Sequence, residues 1–155
     1  MALDDDIAFF QHVPTFAVLG KQALRILAIG AESRTLQSGA VLFYAGEPAD
    51  GGYLVQYGSL LLEPENAAEG GSFTVGRGAL LGELALVTDI VNPVTAIAQE
   101  PTTVLRISRS LFHKTLEGYP IAAKKLRDTM AKRVDSWTQD LAAMKKVVNI
   151  DEEPR

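Results

Sequence analysis

The chain has 155 residues, of which 47% are apolar and 22% charged, with a formal net charge of −4. That size and composition suit one domain with a continuous core, and the acidic balance argues against a chain built to coat nucleic acid, which needs a strong basic excess. With no cysteine, a disulfide scaffold, a thiolate zinc site and a cysteine nucleophile are excluded.

The first ten residues carry Asp4, Asp5 and Asp6, where a secretory signal would need basic residues and then an apolar run. No stretch approaches the roughly 20 apolar residues of a membrane span. The expectation is a soluble, cytoplasmic protein. Residues 4–11 read as a short helix with acids at its positive end, broken at Pro14. Leu24, Leu27 and Ala28 predict a second helix over 20–31, ended by Gly30. From Arg34 to Ile107 short apolar runs alternate with glycine-rich turns: 41–44, 53–55, 60–62, 72–75, 94–98 and 103–107. Many short strands at this spacing imply an antiparallel sandwich or barrel. Ser108 or Ser110 then caps a helix to Gly118, and Pro120 opens a longer one. The predicted fold is mainly β with flanking helices. Residues 1–120 form the β unit with its helices, 121–150 a long helix, and 151–155 a frayed tail.

The segment Gly78–Val87 is the informative one. A glycine pair precedes a short apolar turn, whose first N–H groups lack partners within the turn. Those groups suit a phosphate or carboxylate, and Glu83 suits a sugar hydroxyl. Spacing alone favours a strand-to-helix corner with Glu83 as a capping acid, because glycine before a short helix is common.

The run Gly82-Glu83-Leu84-Ala85-Leu86 resembles the phosphate-binding cassette of the cyclic nucleotide-binding domain family. Gly46–Asp50, Tyr53-Leu54-Val55 and Gly58 resemble that family's conserved turn and strand. Leu105–Ser108, with Phe112 and Pro120, resembles its exit into the hinge helices. The resemblance covers roughly residues 7–148 and implies an antiparallel β-roll (a double-stranded β-helix or jelly roll) that is a regulatory sensor and not an enzyme. It implies that Glu83 holds a ribose hydroxyl, that amides near Ala85 face a cyclic phosphate, and that Gly82 allows close approach. Val94 and Thr95 complete the implied lining. The family's cassette arginine falls at Asn92, which carries no charge, and the next expected N–H donor is Pro93, which has none. A charge-assisted bond contributes about 1.5–3 kcal/mol and a neutral one about 1 kcal/mol, so affinity for cyclic AMP or cyclic GMP should fall by about two orders of magnitude or more. A degenerate module that keeps the fold for assembly is the alternative.

Met130, Val134, Trp137, Leu141, Met144 and Val148 follow steps of 4, 3, 4, 3 and 4, a heptad seam. Packing on the chain's own roll or pairing with a second copy both fit; the resemblance favours a homodimer through this helix. No helix-turn-helix segment follows it, so no nucleic-acid partner is expected, and no membrane partner either. The remaining partner is a small-molecule ligand; no cofactor or metal is expected. His12 and His113, the only histidines, both lie outside the strand region, which disfavours a cupin-like metal enzyme.

Overall fold

Aromatic side chains at both ends of the β region fold the helices together. A computed structural model of the protein describes residues 2–65 and 71–132. Helix α1 (Ala2–Gln11) buries Phe10, and Pro14 does more than end it, because proline is well placed in a first turn and here starts α2 (Pro14–Ala17). Phe10 stacks on Phe16 at 5.5 Å between centroids, and Phe16 reaches Phe112 of the C-terminal region at 6.3 Å. Helix α3 (Lys21–Gly30) buries Ala23, Leu24 and Leu27 on one stripe and exposes Ile26 and Ile29 on the other. Gly30 is its last residue but is no left-handed cap. The cap is the extended Ala31, whose N–H bonds to Leu27. A Cβ on Gly30 would sit 2.8 Å from the Leu111 side chain, so this glycine marks a close helix–helix approach.

The β region forms two four-stranded antiparallel sheets. One runs in the order β1 (Glu32–Leu36), β8 (Thr102–Ile107), β3 (Gly52–Tyr57), β6 (Leu80–Leu81). The other runs β2 (Val41–Phe43), β7 (Val94–Ala98), β4 (Ser59–Pro64), β5 (Phe73–Gly76). The predicted apolar runs each become a strand. Two strands had no apolar run to announce them. β1 is a polar edge, as solvent-facing edges are. β6 is two residues long and lies between Gly78 and Gly82, just before the predicted turn.

The two faces of the first sheet serve two cores. Tyr53, Val55 and Val104 point between the sheets, with Leu60, Leu62, Ala96 and Ala98. Leu54, Leu105 and Ile107 point the other way, onto Phe10, Phe16, Leu24, Leu27 and Phe112. Because both faces are covered, β3 and β8 are apolar at successive positions and show little alternation.

Helix α4 (Arg109–Gly118) is capped by Ser108, whose hydroxyl accepts the Leu111 N–H at 3.0 Å; Ser110 lies inside the helix. A further helical stretch spans 120–132 and buries Ala122, Ala123 and Leu126. Met130, the first residue of the predicted seam, is partly buried against this chain's own helical core. Val134, Trp137, Leu141, Met144, Val148 and the tail 151–155 lie outside the described residues. No described helix is long and apolar enough to cross a membrane.

Candidate functional site

The site is built where three backbone segments meet. The loop before β3, the turn after β6 and the β8–α4 junction approach one another through glycine. Gly82 has φ +76°, and a Cβ there would lie 2.8 Å from the Gly51 carbonyl oxygen. Gly51 has φ +146°, and a Cβ there would lie 2.4 Å from the Ile107 carbonyl oxygen. No side chain fits at either contact without moving backbone.

Past Gly82 the chain forms a 3₁₀ turn, Leu84–Leu86. Ala85 N–H donates to the Gly82 carbonyl at 3.0 Å and Leu86 N–H to that of Glu83 at 3.2 Å. The Ala85 amide, implied by resemblance to face a phosphate, is thus bonded within the turn, and the start of the turn at Glu83–Leu84 precedes its first internal bond. Glu83 is partly buried and stands at the N-cap position, but its side chain makes no capping hydrogen bond. The capping-acid reading of Glu83 therefore fails. Leu84 is 51% exposed, whereas Ala85 and Leu86 are buried, Leu86 within the helix-side core.

Asn92 is 8% exposed. Its Nδ2 donates to the Tyr44 carbonyl at 3.2 Å, its N–H donates to Glu47 O, and its carbonyl accepts the Gly46 N–H. The side chain at the arginine position of the resembled cassette thus clips two loops together. Thr95 Oγ1 accepts the Ala45 N–H at 2.9 Å, and Val94 packs at the edge of the core between the sheets. Arg77, the nearest arginine to the turn in sequence, lies over Phe9 at 4.8 Å and Tyr57 at 5.5 Å, tying α1 to the roll.

Two arginines that the sequence reading gave no role surround the junction. Arg109 Nε donates to the Ala85 carbonyl at 2.9 Å, Nη2 to the Ala49 carbonyl at 3.3 Å, and Nη1 pairs with Asp89. The first residue of α4 therefore holds both the turn and the neighbouring loop. Arg106 Nη2 donates to the Asp50 carbonyl at 2.7 Å and Nη1 lies 3.4 Å from Glu32 Oε2. Its Nε lies 3.3 Å from Asp50 Oδ2, in ion-pair range but without hydrogen-bond geometry. Tyr53 donates to Asp50 at 2.6 Å and accepts from Arg34 at 3.3 Å. Burial first, then the hydrogen bond and charge of Asp50, raise the Tyr53 phenol above its ordinary value, so it remains a protonated donor. The Tyr53 ring also meets Phe43 of the opposite sheet at 5.6 Å. No local signal marks these partners as a group, because 74 positions separate Arg106 from Glu32.

Among the described residues no three histidines, aspartates or glutamates converge on a possible metal position. His12 and His113 are exposed, one just after α1 and one on α4.

Comparison with known proteins accords with this geometry. A family model for the cyclic nucleotide-binding domain matches residues 33–119. A cyclic nucleotide-binding-like protein from Brucella abortus is 39% identical, with a TM-score of 0.65 over 73% of this chain and 98% of that one. The N-terminal domain of a transcriptional regulator from Streptomyces coelicolor is 25% identical, with a TM-score of 0.77 over 86% of this chain and 94% of that one. A cyclic nucleotide-gated potassium channel from Mesorhizobium japonicum is 30% identical over 121 residues, 78% of this chain and 33% of the channel. The chain thus spans about a third or less of the length of the curated relatives it matches.

Proposed function

This chain belongs to the cyclic nucleotide-binding domain family, and from that premise we propose that it is a non-catalytic, cytoplasmic sensor module taking a cyclic nucleotide against the 82–86 turn. The observation that carries this reading is the glycine contact of Gly82 on Gly51, which sets the start of the turn, with Glu83, directly after the edge strand β6 of the first sheet. Glu83 holds the ribose hydroxyl, and Val94 and Thr95 lie along the next strand; the Thr95 oxygen accepts from Ala45 and its proton remains available to a ligand. Asn92 supplies no charge, and its amide is engaged by Tyr44, so affinity is low.

Output runs through Arg109. It binds the Ala85 carbonyl from the first turn of α4, so a change in the turn alters the placement of α4 and of the helix after it. Ligand then shifts an equilibrium between two helix placements. The apolar stripe of the sequence from Met130 to Val148 pairs two copies as a homodimer.

Calorimetric titration with cyclic AMP and cyclic GMP tests the ligand. The expected result is measurable binding by the native chain, tightened by about tenfold or more in Asn92→Arg, which restores a charged partner. Absence of heat at millimolar nucleotide, in both proteins, would refute the nucleotide reading and leave an assembly module. The dimer is tested by mass in solution at tens of micromolar protein, where a monomer would count against it.

A further inference from the structure

Cross-strand partners in an antiparallel sheet project from the same face. Leu81 pairs with Tyr53, Tyr53 with Arg106, and Arg106 with Glu32, so these four share the face that looks between the sheets. Gly82 is the next residue after Leu81 and rests on the Gly51 carbonyl, while Arg106 donates to the carbonyl of Asp50. The Arg106 side chain, 16% exposed, is therefore anchored one residue along the chain from the point where the turn touches down. Two further facts single it out. Its buried Nε lies 3.3 Å from Asp50 Oδ2 without a hydrogen bond of proper geometry, and its other counter-ion, Glu32, which it shares with Arg34, is 59% exposed. A mostly buried guanidinium with a spare donor and a solvent-exposed counter-ion is poised to exchange that counter-ion for another anion.

Resting on the reading that a cyclic nucleotide binds at the 82–86 turn, we infer that the positive charge absent at Asn92 is supplied from the sheet instead, by Arg106 with Arg34 beside it. The cyclic phosphate displaces the Glu32 carboxylate and takes up the Arg106 Nη1 donor that Glu32 vacates, while Asp50 and Tyr53 keep the guanidinium in place. The relocated charge comes from β8, whose next residues lead into Arg109 and α4. An anion on Arg106 thus acts directly on the strand that enters the output helix.

The experiment titrates the full chain with cyclic AMP and cyclic GMP, and with adenosine and guanosine as uncharged counterparts. Arg106→Gln should weaken cyclic nucleotide binding by about tenfold or more and leave nucleoside binding unchanged. Glu32→Gln should strengthen cyclic nucleotide binding by about threefold or more, a gain that a merely structural Arg106 would not produce. A folded Arg106→Gln protein with undiminished affinity, or one that loses nucleotide and nucleoside equally, would overturn the relocation while leaving the pocket itself standing. Where Arg106→Gln does not fold, Glu32→Gln decides: tighter binding supports the inference and unchanged binding overturns it. A native chain that binds neither cyclic nucleotide refutes the pocket, and the relocation with it.

Discussion

The sheet β1–β8–β3–β6 has two faces of opposite character. On the helix side the row Leu105, Leu54, Leu80 is apolar, and Leu54 is fully buried. On the side between the sheets the adjacent row holds Glu32, Arg106, Tyr53 and Leu81. The strands are the same and neighbouring positions differ only in direction. The helix-side face does what a core does, which is to remove apolar area from water. The other row carries ions whose desolvation offsets much of their attraction, so stability alone is a poor reason for it. Both faces bury a core, but only the side between the sheets adds a row of charged and polar partners to it, and that row is the one proposed to meet the ligand.

The harshest way to break this comparison is at the junction on which both faces depend. Gly51→Ala drives a Cβ to 2.4 Å from the Ile107 carbonyl at a φ of +146° and should cost more than about 3 kcal/mol. Thermal unfolding checks it, and a midpoint within a few degrees of native would show that the three segments are not tightly wedged.

Next comes the contrast between faces. Leu54→Ala empties a sealed position and should cost about 2–5 kcal/mol in denaturant unfolding. Leu81→Ala, at a partly buried position on the other face, should cost less than half as much. Equal losses would erase the distinction. A smaller effect of a different kind belongs to Arg109→Met. It removes two backbone contacts and the Asp89 pair and should cost about 1–3 kcal/mol. Hydrogen exchange should quicken at 84–88 ahead of the strands, whereas Leu54→Ala should loosen the sheet generally.

The mildest change lies outside both faces. Asp6 accepts from Gln56 at 3.2 Å, and burial, then the neighbouring Asp5, hold its carboxyl above the ordinary value of 3.8. A carboxylate raised on folding binds its proton more tightly in the native state, so its ionisation lowers stability as pH climbs from near the unfolded value through the folded one. Asp6→Asn should therefore raise the thermal midpoint slightly at neutral pH and lose that advantage below about pH 4. An equal gain at both pH values would reject the titration as the cause.

Much of this was legible in the chain. The apolar runs of β2, β3, β4, β5, β7 and β8 were visible because buried strands concentrate branched and aromatic residues between glycine turns. β1 carries no such signal because an exposed edge needs no apolar run, and β6 because two leucines beside a turn carry no period. Gly82 and Glu83 were legible as a local motif. Arg106 shows in the sequence only as part of a strand-to-helix exit, and the commitment of Asn92 to Tyr44 depends on a contact across 48 positions.

By itself the sequence determined an antiparallel β unit with flanking helices, the turn at Gly82 and the absence of charge at position 92, since these follow from local pattern and residue chemistry; the roll came from the family resemblance. Only the tertiary structure decided that Gly82 seats on Gly51, that Arg109 grips the turn, and that Arg106 lies one strand from Tyr53 with a donor to spare. Those facts arise from register between distant strands. Register is fixed by which faces the whole chain can bury, and no short window of residues contains that information.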